Sequence, residues 1–354
     1  MSVITFQYRV KDSTSRSHLL RMAWAVNRVW NYCNEVSILA WRRDRRWLSY
    51  HDLRVLTKGT SHDLGLSSQT IQSVCMAYAI RRRQFRKRRL SWRSRKRSLG
   101  WIPFPNQAIH LRGDEVRFGG RMFRLWLSRP VEGTIKAGSF TQDARGRWYI
   151  NLQCEVADRT DPLGEAEIGI DLGLSQQIAC SDGVVYSRAN LTRQYEDTLA
   201  LAQRAGKKKR VKALHSKIGN ARKDWTHKVT TAIARRARFI AVGDVSSMKL
   251  AKTPFAKSTY DAGWGMCRHQ LHYKAIRLAG DPLRAGGCVP VIETFSTVTC
   301  SVCLQRTGPS GLGHLLVREW SCTACGVVHN RDVNAAQNIL RAGRCTPIKG
   351  IPRL

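Results

Sequence analysis

The chain has 354 residues, and its 60 Lys and Arg residues outnumber 25 Asp and Glu residues to give a formal net charge of +35. A hydrophobic content of 43% with 11 Trp residues is typical of a globular protein of two or three domains and excludes a disordered chain. So large a positive charge predicts a polyanionic partner, nucleic acid first, whereas the lack of any window of about 18 uncharged apolar residues and of a signal-peptide pattern argues against a membrane or secreted protein.

The N-terminal sequence predicts a strand followed by a long amphipathic helix. TFQYRV alternates like a strand, and the residues after it place Leu19, Val26 and Val29 at helical spacing. A second helical pattern ends in a basic segment, residues 81–97, in which eleven of seventeen residues are Arg or Lys. A solvated helix end is the alternative, but so dense a run of one charge predicts phosphate contacts, which we assign to Arg81, Arg82, Arg83, Arg86, Lys87, Arg88 and Arg89.

Two aromatic residues, Phe85 and Trp92, lie within this basic segment. They could stack on nucleobases, but as single aromatics we expect them to be packing anchors.

The predicted secondary-structure pattern changes twice in the remainder of the chain. Short alternating segments with Gly turns predict antiparallel strands up to about residue 155, and the polar stretch DRTDPLGEAE predicts a domain boundary. Beyond it, IGIDLG predicts a strand ending in an aspartate, and a basic helical region covers about 190–238. The strand FIAVGDV, a helix, the strand CVPVIETF, a cysteine segment and a last helix near NAAQNIL follow.

Four of the eleven cysteines form two C-x2-C pairs separated by eighteen residues. This spacing is typical of a structural zinc site, because four thiolates complete a tetrahedral shell with no open position. The predicted ligands are Cys300, Cys303, Cys322 and Cys325. Since this set leaves no vacancy, we expect His314 and His329 to be polar or to face nucleic acid. We expect most of the other seven cysteines to be buried structural thiols.

Two aspartates occupy positions where metal-dependent phosphodiester chemistry needs them. Asp171 ends the strand IGI, and Asp332 precedes the last helix. Carboxylates that converge on a pair of Mg²⁺ ions can activate a water for attack on phosphorus. For either residue alone, a capping or turn hydrogen bond is the alternative interpretation.

The order of these motifs resembles the TnpB family, transposon-encoded RNA-guided nucleases that are kin to the type V CRISPR effectors. The matching segments are IGIDLG, the basic helix with NARKDWTHK, TFSTVTCSVC, the second cysteine pair and HNRDVNAAQNIL, which together cover most of residues 165–341. The N-terminal half matches only in its general layout of strand, helical insertion and strand.

The resemblance implies an α/β plus β architecture with an RNase H-like (RuvC) nuclease domain. It divides the chain into a wedge-like β domain at 1–10 and 106–160, a helical recognition insertion at 11–105, the RuvC-like domain at 166–298 and 328–341, a zinc ribbon at 299–327 and a C-terminal tail at 342–354. It also implies structural Zn, catalytic Mg, a guide RNA, a double-stranded DNA target and a cytoplasmic, nucleoid-associated location in a prokaryote.

The chain departs from the family at the second RuvC strand. Family members usually have Glu-Asp-Leu at the end of this strand, with the glutamate a metal ligand, but here the sequence is Gly243-Asp244-Val245. Asp244 is a poor substitute, because consecutive side chains in a strand point to opposite faces. Glu293 lies near the end of the neighbouring predicted strand, about 4.8 Å away. We therefore expect the catalytic, magnesium-binding set to be Asp171, Glu293 and Asp332. The alternative is that Glu293 is an ordinary exposed residue and that the nuclease is inactive.

Three functions are compatible with these residues. The first is an RNA-guided, Mg²⁺-dependent DNA endonuclease that cuts its target next to a short flanking motif. The second is a nuclease-inactive RNA-guided DNA-binding protein that acts as a repressor, which Gly243 favours and Glu293 opposes. A strand-transfer transposase has less support, because nothing in the sequence indicates recognition of transposon ends.

Overall fold

The computed structural model describes residues 2–11, 15–87, 89–157, 163–174, 176–187, 191–245, 256–278, 288–310 and 317–345. The chain forms two compact units, Met1–Ala157 and Asp158–Leu354. None of the helices in the described ranges has both the length and the apolar character needed to cross a bilayer.

The first unit contains an antiparallel sheet of seven strands in the order β2-β6-β7-β1-β5-β4-β3. The strands are β1 Ser2–Val10, β2 Trp101–Pro105, β3 Ile109–Arg112, β4 Glu115–Phe118, β5 Arg121–Trp126, β6 Thr134–Gln142 and β7 Trp148–Val156. Alternate residues of β7 are buried, which gives the sheet one face against the core. The antiparallel strands predicted for this half of the chain are therefore present.

Four helices connect β1 to β2 in sequence. They are α1 Ser15–Asp44, α2 Tyr50–Leu56, α3 Ser61–Leu64 and α4 Ser68–Phe85. The helical insertion predicted for residues 11–105 ends earlier than expected, because Trp101–Pro105 pair with β6 at the edge of the sheet. Ile102 and Phe104 of this strand are buried, and an edge strand tolerates Pro103 and Pro105 since one side needs no donors.

The second unit contains a mixed five-stranded sheet in the order β10-β9-β8-β11-β12. Strands β8, β11 and β12 are parallel, whereas β9 pairs antiparallel with β8 and β10 pairs antiparallel with β9. The bounds are β8 Ala166–Asp171, β9 Ile178–Cys180, β10 Val185–Tyr186, β11 Ala237–Gly243 and β12 Cys288–Val291, with a separate hairpin of β13 Glu319–Ser321 and β14 Val328–Asn330. The helices are α5 Leu191–Gln194, α6 Glu196–Arg204, α7 Lys208–Arg236, α8 Ala256–Ala262, α9 Trp264–Leu278 and α10 Arg331–Cys345.

Helices cover both faces of this sheet. On one face, Ile240 and Val242 of β11 pack into a core with α7 and α9. On the other face, Ala241 packs with Ile339 of α10. The last helix comes so close that a Cβ on Gly169 would lie 2.7 Å from the Cβ of Leu340. This glycine thus lets α10 lie directly on β8, which brings the start of the helix to the strand ends.

Two predicted boundaries differ from the structure near the C-terminus. Strand β14 pairs with β13, so Val328–Asn330 belong to the hairpin of the cysteine segment rather than to the domain predicted from residue 328. The last helix continues to Cys345, past the predicted start of the tail at 342, and residues 346–354 lie outside the described ranges.

Candidate active site and metal centre

The parallel strands of the second unit end at one edge of the sheet, and the candidate site lies there. Asp171 is the last residue of β8, and Gly243 is the last residue of β11. Asp332 is the second residue of α10, the helix that packs across β8. The topology therefore brings together two positions that are 161 residues apart in sequence.

Strand alternation separates Gly243 from Asp244. Gly243 is buried on the same face as Ala241, because a Cβ built on it would lie 3.1 Å from Cδ1 of Ile339 in α10. Asp244 is exposed, and its carboxylate accepts a hydrogen bond from Arg268 of α9, the helix on the opposite face. Asp244 thus points away from the α10 side, as the strand period predicts.

The carboxylate of Glu293 occupies the space that a side chain at position 243 would fill. A Cβ on Gly243 would overlap Oε2 of Glu293 and lie 3.5 Å from its Cδ. Oε2 is buried and has no hydrogen-bond partner in the protein. A buried carboxylate oxygen without a donor is costly unless a cation or another donor satisfies it. This orphaned oxygen is therefore suited to a metal ion.

Burial and neighbouring carboxylates raise the pKa values of two acids at this edge of the sheet. Burial, followed by the Glu293 and Asp332 carboxylates, raises the pKa of Asp171 to about 8. Burial and the Asp244 carboxylate raise the pKa of Glu293 to about 7, although Arg268 opposes the shift. Two buried acids that resist ionisation next to a third are typical of a site that a divalent cation neutralises.

Asp332 is held from two sides. Asn330 accepts hydrogen bonds from the backbone N–H groups of Asp332 and Val333, both at 3.2 Å, and so caps the first turn of α10. Nη1 of Arg318 donates to both carboxylate oxygens of Asp332, at 3.2 and 3.3 Å. Arg318 is not among the predicted site residues; it precedes β13, and its partner lies beyond the second cysteine pair.

The three carboxylates are more widely spaced than the cysteines. The donor atoms of Cys300, Cys303, Cys322 and Cys325 all lie within 4.8 Å of one another. Among the described residues, no other group of three or more His, Cys, Asp or Glu side chains is this compact.

The two cysteine pairs form matching knuckles. In each, the residue after the second cysteine is left-handed, Leu304 with φ 68° and Gly326 with φ 75°, and its N–H donates to the carbonyl of the first cysteine. The sulfurs of Cys300 and Cys325 lie 3.7 Å apart, and those of Cys303 and Cys322 lie 3.5 Å apart. Zinc–thiolate bonds of about 2.3 Å in a tetrahedron require sulfurs about 3.8 Å apart, so the four thiols fit this ion.

His329 has a different place from the one expected. It is buried in β14 and does not face solvent. The centre of its ring lies 4.7 Å from that of the Trp320 ring, and its Nε2 lies 3.0 Å from Sγ of Cys300. A buried imidazole in hydrogen-bonding distance of a cysteine ligand supports that ligand and does not contact nucleic acid. His314, the other histidine of this segment, lies outside the described residues.

The basic segment after α4 is only partly exposed. Arg82 is 2% exposed, stacks 4.3 Å from the ring centre of Trp47 and donates to the carbonyl of Ser37, so its assignment as a phosphate contact is wrong. Helical periodicity turns this one arginine inwards. Arg88 lies outside the described residues, and the exposed members of the predicted set are Arg81, Arg83, Arg86, Lys87 and Arg89.

The two aromatic residues expected to be packing anchors are instead about half exposed. Phe85 is 55% exposed and Trp92 is 47% exposed. Both rings are therefore accessible to a partner of the basic segment.

Comparison with known proteins agrees with the arrangement of motifs. Residues 264–339 match the family described as Cas12f1-like, TNB domain. A protein of Streptomyces pristinaespiralis, named as a candidate RNA-guided DNA endonuclease, is 29% identical over 96% of this chain and 89% of its own length. The candidate RNA-guided DNA endonuclease InsQ of Escherichia coli K12 is 31% identical over 61% of this chain and 58% of its own length. The CRISPR-associated endodeoxyribonuclease Cas12f1 of Sulfoacidibacillus thermotolerans is 26% identical over 56% of this chain and 50% of its own length.

Proposed function

We propose that the chain is a member of the TnpB/Cas12f family and that it is an RNA-guided DNA endonuclease with a relocated catalytic glutamate. The observation that carries this proposal is the position of Glu293. Its carboxylate fills the space over Gly243, on the face of the sheet that also carries Asp171. The acid that the family places at position 243 is thus supplied from the end of the neighbouring strand.

The sheet topology supports an RNase H-like assignment for the second unit. Its central strand β8 carries the first aspartate and lies between an antiparallel pair and two parallel strands, with α10 across the sheet. The cysteine segment, β13 and β14 interrupt this fold between β12 and α10. The wedge-like and recognition roles of the first unit follow from the same family premise.

Mg²⁺ would be held by Asp171, Glu293 and Asp332, where it supplies Lewis-acid chemistry that activates water and stabilises the charge developing on a phosphodiester. The protein fixes the positions of these oxygens beforehand. Asp171 is rigid because it ends a central strand, and Asp332 is oriented by the capped helix and by Arg318. Burial disfavours the charged forms of Asp171 and Glu293, so a cation that binds there would displace their protons and neutralise the resulting carboxylates.

The cysteine cluster is proposed to hold structural Zn²⁺, with the imidazole of His329 in hydrogen-bonding distance of Cys300. Since β14 leads directly into α10, the metal would fix the strand that precedes Asp332. A closed four-thiolate shell leaves no position for substrate, so the role of this ion is to hold the hairpin in place.

Guide RNA and double-stranded DNA are the proposed partners. The relatives are named for RNA-guided action on DNA, and the net charge of +35 suits a polyanion whose counterions are released on binding. In this mode base pairing with the guide selects the target, and the protein reads a short flanking motif.

The test uses the RNA that copurifies with the protein. After sequencing, this RNA–protein complex is incubated with a plasmid that carries the complement next to a randomised flank, with Mg²⁺ or with EDTA. We expect cleavage with Mg²⁺, none with EDTA and none by Asp171→Ala. Binding to the complement without cleavage in Mg²⁺ or Mn²⁺ would instead establish the repressor.

A further inference from the structure

Two tryptophans and two arginines of the first unit form a compact cluster outside the carboxylate site. Trp30 of α1 and Trp101 of β2 pack edge to face, with ring centres 6.2 Å apart. The guanidinium carbon of Arg81 lies 5.7 Å from the ring centre of Trp30 and 5.8 Å from that of Trp101. The corresponding distances from Arg93 are 6.0 and 5.5 Å. Both cations therefore share one aromatic pair.

Arg93 is fixed in this cluster by neutral groups. Its Nε donates to Oδ1 of Asn27 at 2.6 Å, and its Nη2 donates to the carbonyl of Leu99 at 2.8 Å. Its backbone N–H donates to the side chain of Asn31, also at 2.8 Å. The indole of Trp30 is held as well, because it donates to the carbonyl of Ser91. The geometry of the cluster is thus set before any ligand arrives.

Within the described part of the chain, no acid neutralises this pair of charges, because neither Arg81 nor Arg93 forms an ion pair with Asp or Glu. Burial, and after it the positive charge of Arg81, lowers the pKa of Arg93, as expected for two guanidinium groups next to the same aromatic pair. Two neighbouring cations that lack a carboxylate are stabilised by an external anion. Because Arg81 is exposed, such an anion can reach the pair from solvent.

We propose that Arg81 and Arg93 form a preorganised site for one phosphodiester group of RNA. Guanidinium groups bind phosphate oxygens through a planar fork of N–H donors. Arg93 uses Nε and one N–H of Nη2 within the protein, which leaves its Nη1 group, together with the exposed guanidinium of Arg81, to donate to a phosphate. Only the identity of the polyanion as RNA rests on the proposed function, since the phosphate chemistry of the site is independent of cleavage. Free phosphate and an RNA backbone share this chemistry, and the experiment separates them.

The first arm uses inorganic phosphate and no nucleic acid. Thermal melts are recorded at constant ionic strength while chloride is replaced by phosphate, for the wild type, Arg81→Gln and the control Arg28→Gln. Arg28 is exposed on α1, two residues before the buried Trp30 and outside the basic segment, so its substitution removes the same charge without changing the cluster. We expect phosphate to raise the Tm of the wild type and of Arg28→Gln by more than it raises the Tm of Arg81→Gln. Equal rises in all three proteins would overturn the site.

The second arm uses a 20-nucleotide oligouridylate RNA in Mg²⁺-free buffer. Loss of one phosphate contact should flatten the slope of log affinity against log salt by about 0.7 in Arg81→Gln. The double variant Arg81→Gln/Arg93→Gln should flatten it no further, because both side chains contact the same group. If the double variant does not fold, the slope measured for Arg81→Gln still decides whether this site contacts RNA. A lost phosphate response with an unchanged RNA slope would show a site for free phosphate and overturn the RNA assignment. Neither arm measures cleavage, so an inactive nuclease would leave both results intact.

Discussion

The substitution Gly243→Ala tests whether Glu293 replaces the acid at position 243. The added Cβ would overlap Oε2 of Glu293, which must move by about 1 Å to reach ordinary van der Waals contact. Cδ1 of Ile339, 3.1 Å away, limits the room on the other side. The methyl group therefore displaces the carboxylate while leaving Asp171 and Asp332 unchanged.

Displacement of a catalytic group by about 1 Å can reduce the rate about 100-fold, which corresponds to about 2.7 kcal/mol in the activation free energy. We expect this loss in single-turnover cleavage of a labelled target by the guide-loaded Gly243→Ala protein. Guide-dependent binding of the target should be unchanged, because the substitution lies inside the carboxylate site. Ala is at least as compatible with a strand as Gly, so the Tm should not fall to the same degree.

A double-mutant cycle separates this effect from general damage to the strand. In the Glu293→Ala background there is no carboxylate to displace, so Gly243→Ala should cause little further loss of rate. The double change Gly243→Glu with Glu293→Ala returns the acid to the family position and should recover part of the activity. Wild-type cleavage by Gly243→Ala, or losses that simply add in the double variant, would refute the reasoning.

Three further predictions concern the other parts of the molecule. Cys322→Ser should lose the zinc, about one ion per chain by metal analysis, and lower the Tm, whereas Cys345→Ser, exposed and outside the cluster, should retain it. Neutralising the exposed residues of the basic segment should flatten the slope of log RNA affinity against log salt by up to about 3. The residues to neutralise are Arg83, Arg86, Lys87 and Arg89. The buried Arg82 is the contrast, since Arg82→Met should lower the Tm and leave this slope unchanged. Because the pKa of Asp171 is raised to about 8, the folded state binds its proton more tightly than the unfolded state. Stability without added divalent cations should therefore fall as pH rises from about 4 to about 8, and Asp171→Asn should remove most of that slope in thermal melts.

The parts of the site that could be predicted from sequence are those with a fixed spacing or a fixed period. The C-x2-C pairs identify the thiol cluster, because two cysteines at this spacing meet within one tight turn. The strand period of two is enough to separate Gly243 from Asp244. Adjacent parallel strands also bring Glu293 within reach of Gly243, and the structure agrees with that expectation.

Interactions between distant segments could not be predicted in the same way. Arg318 contacts Asp332 only because the hairpin of β13 and β14 folds back onto the start of α10. Arg82 is buried against Trp47, although a run of arginines in the sequence predicts that all of its members are exposed. His329 is adjacent to Cys300 through tertiary packing and not through ligand spacing. Boundaries inside a sheet, such as the start of β2, depend on pairing with a strand far along the chain.

The most direct test of the account is guided cleavage by Glu293→Gln. This change keeps the volume over Gly243 and removes the charge that a metal ion requires. Substitution of residues that merely support a metal ligand costs about 10–100-fold, so loss of the ligand itself should exceed about 100-fold in the single-turnover rate, with guide-dependent DNA binding unchanged. Cleavage by Glu293→Gln at the wild-type rate, together with loss of cleavage in Asp244→Ala, would contradict the account and assign the third carboxylate to Asp244.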